Sequence, residues 1–199
     1  MNPIISLAEP IVLYSRSQVL SKPSPISAVR GVYSWFFKEI PGNATTDGCV
    51  TKNGLTLLYV GISPRNPNSH ENLKKRITYH FRGNAAGSTL RLTLGVLLTQ
   101  ESGFPLRRVG SGKRMTFTHT GEQWLDAWME KNAFVCWIEH PAPWELELEL
   151  LKSLALPLNI KDNHHPFSTE LNKLRKEAKR LAREDPIERE ISQQRRIND

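Results

Sequence analysis

Two segments flanking a polar loop decide the fold: GVYSWFFKEI from Gly31 to Ile40, and LTLLYVG from Leu55 to Gly61. Both are dense in β-branched and aromatic residues. Pro41-Gly42 halts the first and Gly61 the second, so each has the composition and length of a strand. The spacing predicts a hairpin with a long loop over Asn43 to Asn53. Side chains alternate along a strand, so Gly31 and Tyr33 share a face, as do Tyr59 and Gly61. A third run, FVCWIE from Phe134 to Glu139, is the next strand, and VGSGKRMTF within the turn-rich stretch Gly103 to Gly121 suggests a short ribbon.

Outward from these strands the apolar period changes to that of helices. Leu73, Ile77 and Phe81 recur at four-residue steps across Glu71 to Phe81, and Ser88 or Thr89 caps a helix running to Leu98. Gly121 to Lys131 carries Trp124, Leu125 and Trp128 on one side, and Pro143 opens a helix to about Ala155. From Ser168 to Arg183, Leu171, Leu174, Ala178 and Leu181 form one face of an amphipathic helix whose other face is mostly basic. The pattern is α+β: a small antiparallel sheet of about three strands flanked by helices. Pro3, Pro10, Pro23 and Pro25 make residues 1–30 an irregular lead-in. The expected organisation is then a domain over 31–165, a basic helix over 166–185 and a flexible tail over 186–199.

The 199 residues, 39% hydrophobic with mean hydropathy −0.43, describe one globular domain and exclude a coiled coil or a disordered chain. No run of about 18 apolar residues is present and no basic segment precedes Ile4 to Leu13, so neither a membrane span nor a signal peptide is expected, and the chain reads as cytoplasmic. Cys49 and Cys136 lack a C-x-x-C partner and read as reduced packing residues. The net charge of +7 is local. Lys74, Lys75, Arg76, Arg82, Arg91, Arg107, Arg108, Lys113 and Arg114 face only Glu71 and Glu101 between positions 71 and 115, whereas the rest of the chain is balanced. Such a block suits a polyanion, although a solvated face is its ordinary use.

Among residues able to carry chemistry, Glu147 stands out. On a helix begun at Pro143 it falls in line with Leu150, Leu151, Leu154 and Leu158, while Glu145, Glu149, Lys152 and Ser153 lie on another arc. A carboxylate on an apolar stripe is costly unless it is paired with an arginine, hydrogen-bonded or bound to a metal. Arg76 and His80, four residues apart, share a helix side; a guanidinium can hold phosphate oxygens and an imidazole can relay a proton.

The ordered set GVY, YVG, NLKKR with His80 four residues beyond its arginine, a helical glutamate and PLN resembles the GIY-YIG endonuclease superfamily over about Gly31 to Asn159. The resemblance implies a GIY-YIG nuclease-like fold and assigns Tyr33, Tyr59, Arg76, Glu147 and Asn159 to the catalytic site. His80 matches a histidine found in some restriction-enzyme members. The loops between the two tyrosine motifs and between Gly61 and Arg76 are longer than in compact members. Ile62 stands where a basic residue is often found, with Arg65 as its substitute.

The family also implies a chemistry. A single Mg2+ (or Mn2+) held by Glu147 would serve a phosphodiesterase acting on DNA, with Arg76 stabilising phosphoryl charge, Tyr33 or His80 assisting an attacking water, Tyr59 orienting water or phosphate, and Asn159 fixing the glutamate's surroundings. The basic block from Glu71 to Met115, Arg65 and the Ser168 to Arg183 helix would contact the nucleic acid. The sequence does not separate DNA from RNA. A double-strand cut would favour a homodimer, and the competing function is a non-catalytic nucleic-acid-binding module on the same scaffold.

Overall fold

A computed structural model describes residues 2–189. The N-terminal segment contributes α1 (Pro3–Ala8) and α2 (Arg16–Val19). Pro3 occupies the first turn of α1 behind the Asn2 cap, where a missing N–H costs nothing. Of the four prolines that suggested an irregular lead-in, Pro3 thus starts a helix, and Leu7, Val19 and Ile26 are buried, so residues 2–30 add to the core.

The sheet is built from β1 (Gly31–Phe37), β2 (Thr51–Lys52), β3 (Leu55–Ser63) and, later in the chain, β6 (Ala133–Glu139). Its order is β2-β3-β1-β6, with all pairs antiparallel. The two-residue β2, formed within the long loop, adds a fourth strand to the three expected. β1 is central and buried at all seven positions, because helices cover both sheet faces.

On one face, Tyr33, Trp35 and Phe37 pack under α3 (Leu73–Arg82), α4 (Thr89–Leu97), α6 (Thr118–Asn132) and α8 (Phe167–Glu184). On the other, Val32, Phe36, Leu57 and Val60 meet α1 and α7 (Pro143–Ser153). Caps explain where two site-bearing helices begin: Asn72 accepts from the Lys75 N–H at 2.9 Å, and Ser88 accepts from the Arg91 N–H at 3.1 Å. The short α5 (Thr99–Ser102) ends on Gly103, and β4 (Arg107–Val109) pairs with β5 (Arg114–Thr116) as the expected ribbon.

Three details differ from the sequence expectations. α7 stops at Ser153, so Leu154 and Leu158 leave the helix, and the Leu158 N–H instead bonds the Leu58 carbonyl of β3 at 3.1 Å. On α8 Leu181 is exposed and Ala182 takes the buried position. Of the expected flexible tail, Pro186 to Arg189 lies within the description and is tethered, the Glu188 N–H donating to the Arg108 carbonyl at 2.8 Å; positions 190–199 lie outside the described residues.

Candidate active site

β2 covers only the first two residues of β3, so the strand's later edge needs other partners. Asn159 provides them. Its Oδ1 accepts from the Val60 N–H at 3.0 Å and its Nδ2 donates to the Val60 carbonyl at 2.9 Å, closing the edge with one buried amide. Both halves of the amide are therefore engaged by backbone. Asn159 thereby holds β3 in place between Tyr59 and Gly61.

Tyr33 lies opposite Gly61 in the β1–β3 ladder, and Trp35 opposite Tyr59. A Cβ at position 61 would come within 2.5 Å of the Tyr33 hydroxyl, and one at position 31 would strike the Ile138 carbonyl. Both motif glycines are close-approach residues: Gly61 lets the Tyr33 phenol lie across β3, and Gly31 leaves room for the β6 backbone at Ile138.

Behind Tyr33 stands a buried chain of polar atoms. The Tyr33 hydroxyl is 2.9 Å from His80 Nε2, and His80 Nδ1 is 2.7 Å from Ser88 Oγ. Ser88 Oγ already accepts the Arg91 N–H, and the only acceptor for its own hydrogen among the described contacts is His80 Nδ1. The arrangement that uses the Ser88 hydrogen has Ser88 donating to Nδ1, the His80 proton on Nε2, and that N–H donating to the Tyr33 oxygen. Burial pushes His80 well below the usual histidine range, and the charges of Arg76 and Arg91 push it further, so the ring is neutral. Burial, with Tyr59 alongside, raises the Tyr33 phenol above its ordinary value, while the Arg76 guanidinium opposes the rise.

Tyr33, Tyr59, Gly61, Arg76, Glu147 and Asn159 all line one cavity of about 620 Å³ that opens along the β3 edge. Arg76 is half-buried and oriented by α4 and the turn before it, donating to the Gly87 carbonyl at 3.0 Å and meeting Thr89 Oγ1 at 3.5 Å. Burial disfavours its charge, yet the oxygens of Tyr33, Tyr59 and Glu71 carry its pKa upward. Glu147 projects from α7 on the other side of the sheet. Among the described residues it enters no ion pair, although Arg65 and Lys161 lie near enough to oppose the upward push that burial gives its carboxylate.

With this geometry in place the comparison with known proteins is direct: the family model of the GIY-YIG catalytic domain matches residues 31–177. The chain belongs to the GIY-YIG family. No curated protein and no solved structure gives a match. GIY-YIG domains are generally endonucleases, so the family brings nuclease chemistry and a nucleic acid substrate with it. No helix among the described residues is long and apolar enough to cross a membrane.

Not every expected residue joins the GIY-YIG cavity. His80 is fully buried behind Tyr33 and reaches the cavity only through it. Arg91, expected on the nucleic-acid surface, is instead a core residue: its guanidinium pairs with Glu122 at 2.7 Å and is clamped by Asp126, with carbonyls of α3 and α6 completing the cage. Arg107 and Arg108 donate to main-chain carbonyls at the end of α8 and pin the ribbon there. Lys74, Lys75 and Arg82 are exposed on α3, and Lys113 and Arg114 on the ribbon. Arg65 does line the cavity, as do Lys161 and Arg175, which sequence reading did not single out. The rule that exposed Glu147 applies equally to Arg175: it falls on the apolar arc of α8, one turn beyond Leu171.

The donor set also bears on metal. The described residues contain no group of three His, Cys, Asp or Glu side chains that could cage an ion. They do contain one unpaired, half-buried carboxylate facing a cavity with room for water. That combination fits a hard, hydrated divalent cation that takes its remaining ligands from water and phosphate.

Proposed function

We propose that the protein is a divalent-cation-dependent endonuclease that hydrolyses internal phosphodiester bonds of DNA. The supporting observation is convergence: Tyr33, Tyr59, Arg76 and Glu147, drawn from the four elements β1, β3, α3 and α7, line one cavity with the cationic and anionic groups on separate elements. Glu147 is the residue that would hold Mg2+ or Mn2+, which when bound supplies Lewis acidity toward phosphate and leaving oxygen. Arg76 binds the non-bridging oxygens and neutralises charge that grows on the phosphoryl group. Tyr59, on the same wall, orients phosphate or water.

Tyr33 is the group that receives the proton of the attacking water. Its oxygen faces the cavity, the His80 N–H and the Arg76 guanidinium both favour its phenolate, and burial limits how much phenolate exists at neutral pH. His80 is a positioning residue, because taking a proton would create a buried cation beside Arg76 and Arg91.

The test is cleavage of supercoiled, linear, branched and single-stranded DNA with Mg2+, Mn2+ or EDTA, for wild type and Glu147→Ala. Metal-dependent cleavage by wild type alone is expected. Equal activity of Glu147→Ala refutes the role given to the carboxylate.

A further inference from the structure

Arg175 lies outside the tyrosine, arginine, glutamate and asparagine motifs, yet its side chain lines the same cavity as Tyr59 and Arg76. It is half-buried, and burial opposes its charge. Its one described polar contact is Thr93 Oγ1 at 3.5 Å, and it enters no ion pair among the described residues. The contrast with Arg91 is instructive. Where the fold buries a guanidinium for its own stability, it supplies Glu122 and Asp126; Arg175 receives no carboxylate at all. A partly desolvated cation without a counter-charge is costly to the free protein, and an anionic ligand removes that cost.

The spacing identifies the anion. Thr89 and Thr93 sit one turn apart on α4, about 6 Å along its axis. Thr89 meets Arg76 and Thr93 meets Arg175, so α4 holds two guanidiniums a helical turn apart along one wall. Successive phosphates of a strand engage both. Lys179 and Arg183 follow Arg175 at one-turn steps on α8; burial lowers the Lys179 pKa and the charges of Arg175 and Arg183 lower it further, and neither Lys179 nor Arg183 is in an ion pair among the described residues.

We propose that Arg175 binds the phosphate adjacent to the scissile one on the same strand and that Lys179 and Arg183 extend this contact into a backbone track along α8. The site then takes an internal bond of a DNA strand in preference to an isolated phosphodiester. The word scissile rests on the nuclease reading above; the track itself is a binding property and is measurable without cleavage.

The experiment is fluorescence anisotropy of a labelled DNA duplex in EDTA, with the affinity followed as salt is raised. Each lost phosphate contact lowers the slope of log K against log salt by about 0.9. Arg175→Gln and Lys179→Gln should each lose about that amount, and the triple Gln variant of Arg175, Lys179 and Arg183 about 2.7, so its affinity falls about 40-fold less than wild type's between 50 and 200 mM salt. Arg175→Lys should retain the slope, as should Lys131→Gln on the remote exposed surface of α6. If Arg175→Gln does not fold, Lys179→Gln and Arg183→Gln, on the outer part of α8, decide the matter. Wild-type slopes in these variants overturn the track and leave the nuclease reading standing; failure of wild type to bind either the duplex or the corresponding single strand at any salt overturns both.

Discussion

Replacing Ser88 by alanine isolates the group that sets the chemistry of the Tyr33 phenol from behind. Two effects follow from the structure. The substitution removes the cap on the Arg91 N–H of α4, worth about 1 kcal/mol, and leaves buried His80 Nδ1 without a donor, worth about 1–3 kcal/mol. Together these destabilise the fold by about 2–4 kcal/mol, which for a chain of this length lowers Tm by roughly 5–15 °C. Ser88→Thr retains a hydroxyl at both contacts and should melt much closer to wild type. Circular dichroism melts measure this, and 15N shifts of the imidazole report the tautomer directly. In wild type Nε2 carries the proton; in Ser88→Ala the preference for that tautomer is lost, and the hydrogen bond that supports a Tyr33 phenolate weakens with it. A wild-type spectrum with the proton on Nδ1, or an alanine variant that melts within about 2 °C of wild type, refutes the hydrogen-bond directions assigned here.

If Tyr33 is the base, its raised pKa means that the reactive phenolate becomes more abundant throughout the accessible pH range: single-turnover cleavage should rise about tenfold per pH unit from pH 6 to 9 and drop about 10²–10⁴-fold in Tyr33→Phe, whereas a plateau above pH 7 would point to a histidine-like group instead. Burial holds the Glu147 carboxyl above its usual range, so the fold binds that proton more tightly than the unfolded chain does, and stability contributed at low pH is lost as pH rises through the folded pKa. Glu147→Gln should therefore abolish cleavage while stabilising the metal-free protein at pH 7.5 by about 0.5–1 kcal/mol, an advantage that shrinks at pH 4; a Tm below wild type at pH 7.5 contradicts this. Arg91→Gln should cost about 3–5 kcal/mol in denaturant unfolding, because it strands Glu122 and Asp126, and should leave the salt slope of DNA binding unchanged in whatever fraction remains folded. Mn2+ titrated calorimetrically should bind the free protein weakly and bind more tightly once a DNA duplex is present, with equal affinity in both states counting against a shared site.

What the sequence made legible was local. Tyr33, Tyr59 and their glycines are placed on strands by the aromatic and β-branched composition of their segments, and only the order of the motifs, which resembles the GIY-YIG family, marks them as site residues. Glu147 was readable because a carboxylate among leucines breaks the helical pattern. The illegible parts depend on distant partners. Nothing near Arg91 distinguishes it from Arg82; its burial follows from Glu122 and Asp126, 31 and 35 residues later, whose carboxylates face it from α6. Arg107 and Arg108 look like a basic patch until α8 ends beside them. Pro3 reads as a breaker in isolation and as a helix start once Asn2 caps the turn. Arg175 obeyed the same pattern-breaking rule as Glu147, but the surrounding lysines and arginines of α8 concealed one charge that lay on the wrong arc.

These placements bear on the order in which the site fills. The cavity wall carries Arg65, Arg76, Lys161 and Arg175 against Glu147 and Asp162, an excess of two positive charges. Such a field repels a free divalent cation and attracts a polyanion, and one carboxylate supplies too few ligands to overcome the difference alone. On the nuclease reading proposed above, a DNA strand would reverse that balance, its phosphates neutralising Arg76 and Arg175 and offering oxygen ligands to a cation held by Glu147. Cation and substrate would then each make the other's binding more favourable, and by linkage that coupling would be equal in both directions. On that reading the cationic wall, Arg76 of α3 and Arg175 of α8 with Arg65 and Lys161, would do more than attract the nucleic acid; it would keep Glu147 a weak cation site until the phosphate that needs the metal is present.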